Sequence, residues 1–290
     1  MKGIILAGGS GTRLYPLTLA MSKQLMPVYD KPMIYYPLST LLLGGIRDIL
    51  IISTPRDLPA MRAVLGDGSR WGIKLSFAEQ SKPEGLAQAL IIAEAFSAGE
   101  PVTLILGDNI FHGVGFQPQL ARAMRDNVGA TIFAYHVTDP ERYGVVTFDG
   151  EGRALSIVEK PREPLSPWAV IGLYIYNDKA AQFAKELQPS ARGELEITDL
   201  NNRYLRDENL KVVRFGRGFA WFDTGTPDSL HDAASYVAML ERRQDLKIAC
   251  PEEIAYRQGY ITKQHVEDLA NGLYGKSAYG TYLMRMLAGS

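Results

Sequence analysis

Gly3-Ile4-Ile5-Leu6-Ala7-Gly8-Gly9-Ser10-Gly11-Thr12-Arg13-Leu14 begins as a short apolar run and breaks into a glycine-rich turn. The run has the pattern of a buried strand. Gly8, Gly9 and Gly11 let successive backbone N–H groups turn inward around anionic oxygens, where a Cβ would block the approach. Arg13, and Lys23 within Ser22-Lys23-Gln24-Leu25-Met26-Pro27, add full positive charge. A glycine turn after a strand is common by itself, and the two cations are what make this one a candidate triphosphate grip. A Walker loop needs Lys and then Ser or Thr directly after its last glycine, but Thr12-Arg13 follows Gly11. A dinucleotide fingerprint would want glycine or alanine where Leu14 stands.

Outward from this loop, strand and helix patterns alternate. Strands are expected at Gly3 to Ala7, Asp48 to Ser53, Lys74 to Ala78 and Pro101 to Leu106, with helices at Met33 to Leu43, Asp57 to Leu65 and Leu86 to Phe96. Right-handed crossovers make such strands parallel, and ligands then bind beyond their carboxyl ends. After a helix at Phe116 to Asn127 the pattern turns strand-rich, at Ala130 to Val137, Gly144 to Phe148, Ala154 to Glu159 and Ala169 to Tyr176. Turn residues Asp149-Gly150 and Glu151-Gly152 predict a hairpin between the second and third of these. Helices at Asp178 to Leu187 and Asp199 to Arg206 precede a strand at Lys211 to Phe215 and an apolar piece at Phe219 to Phe222. Thr226 then caps a helix from Pro227 to Arg243, and the tail reads as helical and amphipathic. The expected fold is α/β: a Rossmann-like, mixed and mostly parallel sheet flanked by helices, with a smaller β-rich part and a helical C-terminal extension.

With 46% hydrophobic and 22% charged residues, 290 residues can bury a large core in one α/β domain with additions. A formal net charge of −1 supplies no global field for a polyanion, so nucleic acid is not an expected partner. The single cysteine, Cys250, excludes an intrachain disulfide. The first apolar run breaks too early for a signal peptide, and no stretch is apolar enough to span a membrane, so a cytoplasmic location is expected. The four histidines are scattered and show no nucleophile or metal spacing, which leaves a hard cation on carboxylates as the open metal chemistry.

Asp108 in Gly107-Asp108-Asn109 emerges from a buried strand at the ligand edge and is a natural Mg²⁺ ligand. Asp223 in Trp221-Phe222-Asp223-Thr224-Gly225-Thr226 also ends an apolar segment before a glycine turn, and is the expected second acid. Either aspartate alone reads more often as a turn or capping residue; paired with the glycine loop, they point to a metal site. Lys160 in Glu159-Lys160-Pro161 stands at a strand end, where it is either a phosphate contact or an edge lysine. Arg142-Tyr143-Gly144-Val145-Val146 and the segment Arg192-Gly193-Glu194-Leu195-Glu196-Ile197-Thr198-Asp199 read equally as sugar and phosphate contacts or as turns. Tyr35, Tyr36, Trp71 and Trp168 read as core or packing residues.

Taken together, these motifs, in this order and spacing across nearly the whole chain, resemble the sugar-1-phosphate nucleotidylyltransferases. Asp139-Pro140-Glu141-Arg142-Tyr143-Gly144-Val145-Val146 and Cys250-Pro251-Glu252-Glu253-Ile254-Ala255-Tyr256-Arg257 look like the short glucose-1-phosphate thymidylyltransferases within that family. The resemblance implies Mg²⁺-dependent conversion of dTTP and α-D-glucose 1-phosphate to dTDP-glucose and pyrophosphate, the first step toward dTDP-L-rhamnose. It implies catalytic roles for Arg13, Lys23, Asp108 and Asp223, with Asp108 and Asp223 on the metal. Nucleotide contacts would come from Leu6, Gly8, Gly9, Gly11, Thr12, Arg13, Gln24, Gln80, Gly85 and Asp108. Sugar-phosphate contacts would come from Asn109, Tyr143, Gly144, Glu159, Lys160, Val170 and Arg192. A homotetramer built as a dimer of dimers is implied, with dTDP-L-rhamnose feedback at a second site near Cys250, Glu253, Ile254 and Arg257. The implied catalytic domain is 1–243, with its nucleotide part about 1–128 and its sugar-phosphate part about 129–226; residues 244–290 form the extension. The chain shows no hexapeptide repeats, so an acetyltransferase half is not expected. Alternatives are a uridylyltransferase of the same family or a non-catalytic nucleotide-sugar sensor.

Overall fold

Four strands set the frame: β1 (Lys2–Ala7), β4 (Asp48–Ser53) and β6 (Val102–Leu106), whose side chains are buried on both faces, and the half-buried edge strand β5 (Lys74–Glu79). The computed structural model describes residues 1–9 and 11–289, so Ser10 of the glycine loop lies outside the described residues. β1 pairs in parallel with β4 on one side and β6 on the other, and β5 adds parallel to β4. Alternate residues explain the continuous apolar runs. Ile5, Ile49, Ile51 and Ile105 pack into one core layer, while Ile4, Leu6, Leu50, Ile52 and Leu104 face the opposite layer. Between these strands lie a small hairpin, β2 (Pro27–Val28) with β3 (Lys31–Pro32), and helices α1 (Tyr35–Leu43) and α2 (Leu58–Leu65). The helix expected over 86–96 is two pieces, α3 (Gln88–Ile92) and α4 (Glu94–Ser97). The break falls at Ala93, with φ −81° and ψ 0°, while Ala87 is already helical at φ −67° and ψ −22° and donates its N–H to Leu195 O, 3.2 Å away.

After β7 (Asn109–Gly113) and α5 (Phe116–Arg125), the second half extends the sheet with β8 (Ala130–His136), β9 (Gly144–Phe148), β10 (Ala154–Glu159) and β11 (Trp168–Tyr176). β9 and β10 form the expected antiparallel hairpin. β11 forks. Its C-terminal half, Leu173 to Tyr176, pairs antiparallel with β6, while Ala169 and Val170 pair with β9. On its other edge lies β8, followed by β12 (Leu210–Phe215), which runs parallel to β8. Helices α6 (Ala180–Glu186) and α7 (Ile197–Arg206) connect β11 to β12. Among the described residues the central sheet has nine strands.

β13 (Phe219–Asp223) leaves that sheet and pairs antiparallel with β7. α8 (Pro227–Gln244) begins with Pro227 after a capping box in which Thr226 Oγ1 accepts from Ser229 N and Ser229 Oγ accepts from Thr226 N. The tail folds as α9 (Pro251–Arg257), α10 (Lys263–Asn271) and α11 (Ala278–Ala288), whose apolar faces join the α1 side of the core. No described helix is long and apolar enough to cross a membrane.

A buried charge cluster ties the β2–β3 hairpin to α8. Lys31 Nζ, with its side chain 1% exposed, lies 2.9 Å from Glu241 and 2.6 Å from Asp30, and Lys247 reaches both acids from the far side. Glu241 also accepts from Ile248 N at 2.8 Å. Glu241→Ala would leave Lys31 without its interior counter-charge, and is expected to cost about 3 kcal/mol of folding stability. Urea unfolding measures this; a loss below about 1 kcal/mol would show that water or Asp30 alone satisfies the ammonium.

Candidate active site

The carboxyl ends of β1 and β6 and the fork in β11 surround a cavity of about 400 Å³. Leu6, Gly8 and Gly9 reach it from β1 and its loop, and Leu106, Asp108 and Asn109 from β6 and the start of β7. Val170, Gly172 and Tyr174 are alternate residues of β11, so all three face the same side of the sheet and line the floor. Gly172 is required there because a Cβ would stand 2.6 Å from Asn109 Oδ1 and 2.7 Å from Leu106.

Asp108 and Asp223, 115 positions apart in sequence, meet through the β7–β13 ladder, in which Asp223 lies opposite Asn109. Thr224 reinforces the join by donating from N and Oγ1 to Asp108 O, at 3.1 and 2.7 Å. The Asp108 side chain pairs with Lys23 Nζ and accepts from Asn109 Nδ2 at 3.0 Å. Burial pushes the Asp108 carboxyl up, but the Lys23 ammonium and these hydrogen bonds outweigh it and hold the pKa below the ordinary value. Asp223 has the opposite balance. Burial and then the negative charge of Asp108 raise its pKa, against weaker opposing effects of Lys23, Arg13 and Arg142. The two acids are chemically unlike, one held ionised by a lysine and the other short of positive charge.

The Arg13 side chain passes beside Gly225, where a Cβ would come within 2.9 Å of its Nη2. Asn109 is occupied at both ends of its amide, since Oδ1 accepts from Trp221 Nε1 at 2.7 Å and Gly172 N at 3.2 Å while Nδ2 holds Asp108. Tyr143 packs edge-on against Trp221 with centroids 5.2 Å apart; burial and nearby Asp223 push its phenol up to about 12, so it remains a hydrogen-bond donor at neutral pH. Across the cavity Arg192 is held by Glu196 at 2.8 and 2.9 Å and stands 3.4 Å from Glu159, which also accepts from Thr198 Oγ1 at 2.5 Å. Lys160 sits at the rim with a left-handed φ of 43°, its N–H donating to Tyr143 O at 3.0 Å and its ammonium 3.5 Å from Glu159. Arg13, Lys23, Gln24, Gln80, Gly85, Tyr143, Gly144, Glu159, Lys160 and Arg192 all line this one cavity.

The sequence profile of the nucleotidyl transferase family matches residues 2–239. A glucose-1-phosphate thymidylyltransferase of Neisseria gonorrhoeae is 60% identical over 287 residues, 99% of each chain. The protein of that name from Xanthomonas campestris pv. campestris strain B100 is 56% identical over 97% of this chain and 95% of its own. The chain belongs to the glucose-1-phosphate thymidylyltransferase family. A solved Bacillus anthracis structure, provisionally given the same name and determined in complex with sucrose, superposes with a TM-score of 0.76 at 42% identity, over 81% of this chain and 94% of its own. A UDP-glucose pyrophosphorylase solved with UDP-glucose, at 23% identity and a TM-score of 0.72, shares the fold. Gly8 and Gly9 of the glycine turn, the cations Arg13 and Lys23 and the acids Asp108 and Asp223 all line one crevice.

Two expected nucleotide residues stand apart from the lining. Gly11, with φ 62°, and exposed Thr12 begin a short 3₁₀ turn that is closed by Leu14 N on Gly11 O and pinned by Thr18 Oγ1 on the same oxygen. The expected regulatory residues also lie elsewhere. Cys250 is a buried neighbour of Glu252 and Tyr279, Glu253 pairs with Arg257 at 2.7 Å and with Tyr282, and Ile254 packs on the core. A second cavity of about 280 Å³ is lined by the preceding Ile248 and Ala249 together with His112, Phe116 and Ser39. Trp221, Glu196 and Thr198 join the main cavity although sequence reasoning gave them no individual role; their only signal was membership of the quoted motifs.

A Cβ on Gly8 would fall well inside van der Waals contact of Gln80 Oε1. Because the obstacle is the end of a side chain, Gly8→Ala is expected to displace Gln80 rather than unfold the loop, raising the KM for the nucleotide about tenfold at unchanged thermal stability. Steady-state kinetics with calorimetry test this, and an unchanged KM would show that Gln80 does not touch the nucleotide.

Proposed function

We propose that the cavity joins dTTP to α-D-glucose 1-phosphate, releasing pyrophosphate and dTDP-glucose by direct in-line displacement. The observation that carries this reading is the convergence of Arg13, Lys23, Asp108 and Asp223 on one crevice with the Gly8–Gly9 turn. A sugar-phosphate oxygen forms the new bond to the α-phosphorus of dTTP as the bond to pyrophosphate breaks. No histidine base is needed, because the second phosphate ionisation, near pKa 6, has already removed the proton at neutral pH. The remaining barrier is repulsion between two anions. Arg13 and Lys23 offset it in the ground state and stabilise the charge gathering on the leaving pyrophosphate, while Lys160 and Arg192, both beside Glu159 on the cavity lining, would meet the sugar phosphate.

The donor set fits Mg²⁺: two carboxylates on one cavity, one of them raised by burial and then by the charge of the other, with no histidine or thiol among them. Asp108 and Asp223 would hold the ion, which when bound neutralises phosphate oxygens as a Lewis acid. Lys23 keeps Asp108 ionised.

A cytoplasmic enzyme opening dTDP-L-rhamnose synthesis, assembled as a homotetramer and feedback-inhibited by dTDP-L-rhamnose, is the wider reading, supported by the motif resemblance. The test is a pyrophosphate-release assay over dTTP, UTP, CTP and ATP against several sugar 1-phosphates, with and without EDTA. Release should be greatest with dTTP and glucose 1-phosphate and should stop with the chelator. Greatest release with UTP would make the chain a uridylyltransferase, and no release with any pair would make it a nucleotide-sugar sensor.

A further inference from the structure

Gln80 is 4% exposed and faces the cavity, yet its amide is not free to turn. Nε2 donates to Gln88 Oε1 at 2.7 Å, and Gln88 Nε2 donates in turn to the Glu84 carboxylate at 2.7 Å. Gln88 Oε1 also accepts from the Glu84 backbone N–H at 3.3 Å. An amide has two orientations of nearly the same shape, so something outside it must choose between them. Here both ends of the Gln88 amide are read by Glu84: its carboxylate only accepts and its N–H only donates. Reversing Gln88 would set oxygen against carboxylate and N–H against N–H. That fixed direction passes to Gln80, whose Oε1 is left on the Gly8 side with no hydrogen-bond partner among the described residues.

We propose that Glu84 and Gln88 are positioning residues that lock the Gln80 amide, so that the cavity selects pyrimidines carrying a 4-oxo group and N3–H over 4-amino pyrimidines. The proposal rests on the nucleotidyl-transfer reading of the same cavity. A 4-oxo base presents N3–H, which Gln80 Oε1 can accept, beside a carbonyl that the second Nε2 hydrogen can reach. A 4-amino base presents a lone pair at N3 and an N–H₂ at C4. Accepting it would require Gln80 to reverse, and with it Gln88, against both groups of Glu84. Discrimination therefore originates at a carboxylate two side chains away from the base. Uracil and thymine share this edge, so the chain does not separate them.

The test measures kcat/KM for dTTP, dUTP and dCTP with α-D-glucose 1-phosphate in the wild type, Gln88→Leu, the double variant Gln88→Glu with Glu84→Gln, and Glu84→Ala. Gln88→Leu removes the acceptor that fixes Gln80, and the dCTP-to-dTTP ratio of kcat/KM should rise about tenfold or more. Gln88→Glu combined with Glu84→Gln, which avoids two opposed carboxylates, keeps an acceptor facing Gln80, so its ratio should stay within about threefold of wild type. Glu84→Ala, at an exposed position, guards against a failure of Gln88→Leu to fold, and should raise the ratio about threefold. The dUTP-to-dTTP ratio should not move in any variant, which separates lost orientation from general damage to the pocket. An unchanged dCTP ratio in Gln88→Leu or in Glu84→Ala, or an equal rise in Gln88→Leu and in the double variant, overturns the proposal while leaving the transferase reading intact. Wild-type protein that releases no pyrophosphate with any of the three nucleotides overturns both.

Discussion

Asp223→Asn is expected to lower maximal pyrophosphate release from dTTP and α-D-glucose 1-phosphate by about three orders of magnitude, the upper range for loss of one preorganised electrostatic partner. The substitution keeps the shape of the side chain and the β7–β13 ladder that positions it, and removes only a charge. That charge stands where the protein itself provides too little compensation: burial and Asp108 raise the Asp223 pKa, and the cation that opposes this most, Lys23, is committed to Asp108. A divalent ion held by Asp108 and Asp223 would offset it, and without the second carboxylate that ion would lose half of its proposed protein ligands. The check is kcat at saturating substrates over a Mg²⁺ titration. A variant within about tenfold of wild type would take Asp223 out of the metal site.

Arg13→Ala comes next, with turnover expected to fall about a hundredfold or more. The guanidinium is exposed, no acid forms a salt bridge with it among the described residues, and it is steered across the mouth of the cavity by the absence of a side chain at Gly225. It is the cation of the site most available to a triphosphate. Lys23, paired with Asp108, and Arg192, ringed by Glu159, Glu194 and Glu196, must exchange or share partners first. Loss of a group that acts mainly on the charge of the leaving group should lower kcat more than it raises the KM for dTTP. Arg13→Lys should recover only part of the rate, because an ammonium lacks the planar fork that meets two phosphate oxygens. Near-normal turnover of Arg13→Ala with saturating substrates would remove the residue from this role.

The parallel half of the fold was legible because Ile4, Ile5 and Leu6, or Ile49 to Ile52, are buried on alternate faces by two separate core layers, and such runs stand out between glycines and prolines. The Thr226-Pro227 start of α8 and the β9–β10 hairpin carried local signals in cap and turn residues. The β7–β13 ladder did not. Asn109 to Gly113 is too short and too mixed to show an alternation, and its partner strand lies more than a hundred residues on. The two aspartates could therefore be chosen by type and context, while the pairing that brings them together needed coordinates. Gln88 was hidden differently: at the start of a helix, a glutamine reads as a solvated position, and only the approach of Gln80 and Glu84 distinguishes it. The fork in β11 left a single trace, Gly172 inside a strong strand.

Gly85 has φ 106° and lies so close to the Leu195 backbone that no side chain fits between them. Leu195 N donates to Glu84 O at 2.7 Å, and Leu195 O accepts from Ala87 N at 3.2 Å. The loop beside Gln80 and the loop that carries Arg192 and Glu196 are thus stitched main chain to main chain, at a seam that admits no Cβ. A displacement of either loop is therefore passed to the other through the main chain, with no side chain at the seam to absorb it.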